Sequence, residues 1–285
     1  DCVKAEALAE GIEFDLPPVD NVRGALELLS SMIGGLGAEV LAVLPIVQPG
    51  REKTTCEKTV VGNLFMNLLT RSISYQHDQL RSAALMVAGE LLKSAPLVII
   101  PFTETMLHTI YLALHECEEV LEENTDLLVN ACWCLGLIAV ACGSLSSTHG
   151  QQQLQLAEDL KGKLLKHLPR LLSSLKDFTA KAQEEDHPHP LRTNLASAFM
   201  RLVLVCPKEV SESLPEVLED LLYSVALFAL EHECPLPERL DPEHSVHFDA
   251  PGEEYIHTWK GLIEALNHNP DALMESPKAI RAFVH

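Results

Sequence analysis

Thirteen histidines and eight cysteines in 285 residues make metal binding and nucleophilic chemistry the first possibilities to weigh. A helical zinc site needs two histidines one turn apart with a carboxylate to complete the set. His187 and His189 instead flank Pro188 in an acidic segment, and His244 and His247 lie in a proline-rich one. Cys132 and Cys134 stand two apart, so on a helix they face different sides and cannot share a metal. Together with Cys142 and Cys206 they sit in apolar stretches, where a thiol behaves as a small hydrophobe. Reduced, structural thiols of this kind predict a cytosolic or nuclear protein. No Gly-rich phosphate loop, nucleophile elbow or paired-carboxylate signature is present, and Gly34-Gly35-Leu36-Gly37 reads as a helix C-terminal turn. The residues therefore predict no metal, no cofactor and no enzyme. What is left is surface.

The elements that would shape such a surface repeat along the chain. Leu80-Arg81-Ser82-Ala83-Ala84-Leu85 matches Leu191-Arg192-Thr193-Asn194-Leu195-Ala196, and each leading Leu is followed 16 residues later by a proline, Pro96 or Pro207. Weaker copies start at Val22, Leu127 and Glu254, the last again reaching a proline, Pro270, after 16. The starts at 22, 80, 127, 191 and 254 are spaced 58, 47, 64 and 63 residues apart. Within a copy, Ala84, Ala88, Leu91 and Leu92, or Leu195, Phe199, Leu202 and Val203, form one apolar stripe at helical spacing. The proline closes that helix. A second amphipathic helix is expected after each closure: Val98 to Leu121, Leu154 to Phe178, Glu209 to Leu230 and Asp271 to Val284, with a fifth from Glu57 to Ile73. Inserted loops at 143–153, 181–190 and 235–251 account for the stretched periods. Paired helices recurring at such intervals predict an all-α fold, a HEAT-repeat α-solenoid running as one continuous array over residues 1–285.

Bulk properties narrow the partners. The apolar fraction is 47% with 5% aromatic, as in helix-on-helix packing. Forty-one acidic against 21 basic residues give a formal charge of −20, which repels nucleic acid and attracts basic peptides. The acidic excess also serves solubility. No uninterrupted apolar run reaches the roughly 18 to 20 residues of a membrane span, so no membrane insertion is expected. The chain begins at Asp1 and is expected to be a piece of something longer.

If positions 4, 8, 11 and 12 of each copy are buried, positions 3, 6 and 10 form columns on the opposite side. Position 3 reads Ala25, Ala83, Asn130, Asn194, His257. Position 6 reads Leu28, Met86, Trp133, Ser197, Lys260, and position 10 reads Met32, Glu90, Leu137, Arg201, Glu264. A Trp and a Met are out of place on a solvated face and fit a binding surface. Core packing of Trp133 among Cys132, Cys134 and Leu135 fits the periodicity equally well.

Several segments, in order, resemble one family. They are Asp20 to Ser30 with Gly34-Gly35-Leu36-Gly37, the arginine-bearing helix ending Gly89-Glu90-Leu91, Val129 to Gly136, Asn194 to Val210, and Asn269-Pro270. Together they are similar to the C-terminal part of the transportins, nuclear import receptors of the importin-β family. The resemblance covers most of residues 20 to 284. It implies a receptor that shuttles between cytoplasm and nucleus and binds cargo proteins through a basic or proline–tyrosine-type nuclear localisation signal. It also implies nucleoporin partners, and Ran-GTP bound through a region outside this chain, as is the proline–tyrosine pocket. Trp133 matches a tryptophan lining the groove for the signal's upstream segment, and Glu90 an acidic residue there. Met86, Asn130, Leu137, Asn194, Ser197 and Arg201 complete the expected cargo-binding set. Ser197 replaces an isoleucine of the family and Leu137 an acidic residue. A HEAT scaffold or regulatory subunit that assembles protein partners without transport is the alternative.

Overall fold

A computed structural model describes residues 18–39, 69, 71–73, 77–116, 124–146, 151–184, 189–231 and 251–272. Nearly all of these residues are helical, and no strand occurs among them. The helices are α1 (Val19–Leu36), α2 (Asp78–Ser94), the short α3 (Pro96–Ile99), α4 (Thr103–Glu116), α5 (Thr125–Ser146), α6 (Gln151–Glu184), α7 (His189–Val205), α8 (Pro207–Glu231) and α9 (Pro251–His268). The five repeated segments lie on α1, α2, α5, α7 and α9.

Three of these helices end in the same way. Proline has no N–H to continue the ladder, and the residue before it avoids helical geometry. The last turn is therefore closed by the residue ahead of the proline. Ala95 N–H donates to Leu91 O at 2.7 Å, Cys206 N–H to Leu202 O at 2.8 Å, and Asn269 N–H to Ala265 O at 3.1 Å. The prolines then start the next helices, since the missing N–H is unneeded there. Pro96 opens α3 and Pro207 opens α8. The Asn269 side chain also donates to Ser211 O at 2.9 Å, tying the end of α9 to α8.

The repeat-bearing helices pack in series, α1 on α2, α2 on α5, α5 on α7 and α7 on α9. Their partners form a second series, α4 on α6 and α6 on α8, with α4 and α6 also against α5 and α8 against α7 and α9. Ala84, Ala88, Leu91, Leu92, Leu195, Phe199, Leu202 and Val203 are all buried at this junction, as are Ala131, Leu135, Ile138 and Ala139 of the third copy. At about 25 cal/mol per Å² of apolar area removed from water, this continuous core dominates the stability.

Some boundaries differ from the sequence reading. The helix expected from Val98 to Leu121 starts at Pro96 and breaks into a 3₁₀ turn over Ile100–Phe102, where Pro101 interrupts the ladder. Lys163 of α6 donates to the Ile100 carbonyl at that break, at 3.2 Å. The loops expected at 143–153 and 181–190 are shorter, because α5 runs to Ser146, α6 fills 151–184 and α7 begins at His189. Glutamines and alanines there are good helix formers. Prolines can also lie inside helices: Pro169 within α6 and Pro215 within α8. The loop expected at 235–251, up to the start of α9, most of the helix at 57–73, and all but the first two residues of that at 271–284 lie outside the described residues. Two stretches, Pro96–His115 and Thr125–Gly143, are long and apolar enough to cross a membrane. Neither is an unbroken apolar run, since Glu104 interrupts the first and Asp126 and Asn130 the second. More than half of each is buried within the fold.

Candidate protein-binding site

The columns at positions 3, 6 and 10 are not an open solvated face. On α2, α5 and α7, Glu90, Asn130, Trp133 and Arg201 of these columns meet the preceding repeat-bearing helix, and glycines make the closest approaches possible, whereas Glu264 on α9 is exposed. On α2, Gly89 lies beneath the indole of Trp133 from α5, so near that a β-carbon would stand 2.2 Å from Cζ3. On α1, Gly34 lies beneath the Glu90 carboxylate of α2, with a β-carbon position 3.3 Å from Oε2. On α5, Gly136 lies beneath the Arg201 side chain of α7, 3.1 Å from Cδ. Between α7 and α9 the roles reverse. Gly261 of α9 meets the α7 backbone, its β-carbon position 2.8 Å from Leu204 Cα. The first column pair has no described helix before it, and Leu28 and Met32 of α1 are correspondingly exposed.

Trp133 is half-buried, neither sealed in the core nor standing free. Lys93, one turn beyond Glu90 on α2, holds its Nζ 3.3 Å from Glu90 Oε2 and 5.9 Å from the centroid of the Trp133 ring. A cation at that distance from an indole face is attracted by the ring quadrupole. The Glu90 side chain retains 16% of its exposure and Lys93 51%. The sequence reading gave Glu90 the task of attracting an incoming cation. In the structure, the chain's own cation already sits beside it.

The other expected residues fall in three groups. Met86 and Asn130 line a cleft of about 570 Å³ between α1, α2 and α5, whose walls include Arg23, Glu27, Asp78, Gln79 and Asp126. Asn130 Nδ2 donates to Ser82 Oγ at 3.0 Å, locking α5 to α2. Arg23 donates to Gln79 Oε1 at 2.6 Å, locking α1 to α2, while Arg81 pairs with Asp78. Asn194, Ser197 and Arg201 lie farther along on α7, half-buried, with Asn194 Nδ2 donating to Pro190 O at 2.8 Å. Leu137 is a correction. It is 8% exposed and belongs to the core, because α5 is packed on by α2, α4, α6 and α7 and has little free flank. Ala83 of the position-3 column is buried too, on α2 in the wall of the cleft that Met86 and Asn130 line.

Lys93 and Gly89 were missed by the sequence reading. A glycine inside a helix costs about 1 kcal/mol relative to alanine, and such a residue signals close packing. Lys93 stands three residues from Glu90, the spacing of a helical ion pair.

A second polar cluster ties α4 to α6. His167 is buried, its Nε2 3.2 Å from Glu104 Oε1 and its Nδ1 3.1 Å from Arg170 Nη2. A guanidinium only donates, so Nδ1 accepts and the imidazole proton lies on Nε2, donated to Glu104. Arg170 stacks over Tyr111 at 4.9 Å, and Tyr111 in turn stacks on His115 at 5.3 Å. Lys166 and then His167 hold the Glu104 carboxyl below the usual carboxylate range. Burial pushes the thiols of Cys132 and Cys142 up to about 12 and that of Cys206 to about 11, with Cys134 raised further. None of these four is a nucleophile at neutral pH. His187, His244 and His247 lie outside the described residues. Among the described residues, no three His, Cys, Asp or Glu side chains come together to hold a metal.

Comparison with protein-family profiles finds no match, and comparison with curated proteins finds none similar.

Proposed function

We propose that this chain is the cargo-binding portion of a nuclear import receptor, a HEAT-type solenoid of the importin-β family. The resemblance of its ordered segments to transportins supports the family. The two series of packed helices, one carrying the repeated segments and one their partners, suit a solenoid. In this reading the chain shuttles between cytoplasm and nucleus and meets nucleoporins and Ran-GTP through the whole receptor. It acts by binding protein, without catalysis, cofactor or nucleic acid.

One observation carries the reading. Trp133 projects from a helix into a seat made by Gly89, keeps part of its ring accessible, and has a carboxylate, Glu90, one residue from that seat. An anchoring aromatic beside an acidic group suits the upstream segment of a localisation signal, which mixes apolar and basic side chains. Calorimetry with a synthetic basic–apolar signal peptide tests it. Binding that weakens at least tenfold in Trp133→Ala, with Trp259→Ala unchanged, supports the reading. Equal binding by both variants and the wild type refutes it.

A further inference from the structure

We infer that Lys93 is a resident occupant of a cation seat built from the Trp133 ring and the Glu90 carboxylate, and that an arginine-bearing partner binds there by displacing it. The inference rests on the proposed reading of Trp133 as a partner contact, and adds to it the regulation and selectivity of that contact.

The seat has two fixed walls and one movable tenant. Trp133 cannot shift toward α2, because Gly89 already meets it as closely as backbone allows. Glu90 is nearly enclosed, pressed on α1 at Gly34. Lys93 is the exposed member, on a flexible four-carbon stem, with its Nζ 3.3 Å from Glu90 Oε2 and 5.9 Å from the ring centroid. Because Glu90 and Lys93 share one helix, the tenant can swing out without any backbone motion. A half-exposed ion pair is weak, so Lys93 competes for the seat and does not close it. A guanidinium is the favoured competitor. It stacks flat on an indole and bonds a carboxylate through two parallel N–H groups, where an ammonium offers one point of charge. Removing Lys93 should therefore raise affinity for cations, and the wild-type seat should select arginine over lysine.

Two measurements on the full chain test this. In the first, caesium ion quenches the fluorescence of Trp133 in a Trp259→Phe background, so no peptide is involved. The quenching constant should rise about twofold in Lys93→Ala, stay at the parent value in Lys93→Arg, and lose its rise in Lys93→Ala/Glu90→Gln. In the second, a labelled peptide of arginines spaced by glycines is titrated at low salt. Lys93→Ala should bind it about fivefold more tightly, Lys208→Ala, with the same change of net charge elsewhere, should not, and the lysine version of the peptide should gain less. An equal gain in Lys208→Ala, or unchanged quenching in Lys93→Ala, overturns the inference whatever the peptide does. Raised quenching together with peptide binding indifferent to Lys93 and Trp133 overturns the partner-binding reading and the displacement step, and leaves the cation seat itself standing.

Discussion

The six-membered ring of the Trp133 indole lies against Gly89, and a single β-carbon at that glycine would come within 2.2 Å of Cζ3. This contact joins α2 to α5 and sets how far the ring can project.

Gly89→Ala is therefore expected to destabilise the chain by about 1–3 kcal/mol, the range for overpacking, even though alanine is the better helix former. Urea unfolding measures the loss. Tryptophan emission should shift to the red as the indole is pushed outward. An unshifted spectrum with unchanged stability would remove the seat from the account.

Trp133→Ala should lower stability and peptide affinity together, the latter by about 2 kcal/mol, as truncation of an anchoring aromatic does. Trp133→Phe should recover most of the stability and less of the affinity, since a smaller ring fills the Gly89 seat but presents a weaker cation face. Thermal melts paired with calorimetry separate the two effects.

Alkaline pH should destabilise the core. Unfolded thiols ionise near pH 8.5, whereas burial raises Cys132 and Cys142 to about 12 and Cys206 to about 11. Groups raised on folding contribute stability that is complete below the unfolded value and lost as pH climbs toward the folded one. Melting temperature should fall from about pH 8.5 upward. The double variant Cys132→Ala/Cys134→Ala should show a shallower fall, whatever its starting stability.

The acid limb has the opposite sign. Lys166 first, then His167, lowers the Glu104 carboxyl, so its contribution is present above the unfolded carboxylate value and lost as pH drops through the folded one. Melts taken from neutral pH into the acid range should lose less stability in Glu104→Gln than in the parent. The slope is expected to be small, because Glu104 is 42% exposed. At neutral pH, His167→Ala should cost about 2 kcal/mol or more, since it empties a buried position and strips Glu104 and Arg170 of a partner.

The helices were legible where one period ran unbroken. The stripe from Ala84 to Leu92 and that from Leu195 to Val203 are both buried, and the prolines that end α2, α7 and α9 stand where a missing N–H dictates. What the sequence withheld was how neighbouring helices touch. The apolar stripe says which side of a helix is inside, but with packing on three sides the flanks are covered as well. Leu137 was therefore misplaced on an open face. Trp133 proved to be neither of the two expected extremes, because its position depends on a glycine 44 residues away. Lys93 was overlooked for a similar reason. Its ion pair is local, but its contact with the ring is not.

The successive glycine seats also differ in what they hold, and this decides where the molecule can yield. A rigid aromatic plate fixes the α2–α5 step, and direct backbone contact fixes α7–α9. Between α5 and α7 the seat at Gly136 holds an arginine, a side chain that can change length by rotating its torsions. A β-carbon added at Gly136 would meet a side chain that can turn aside, so the α5–α7 step should absorb a small volume change that the plate over Gly89 would resist.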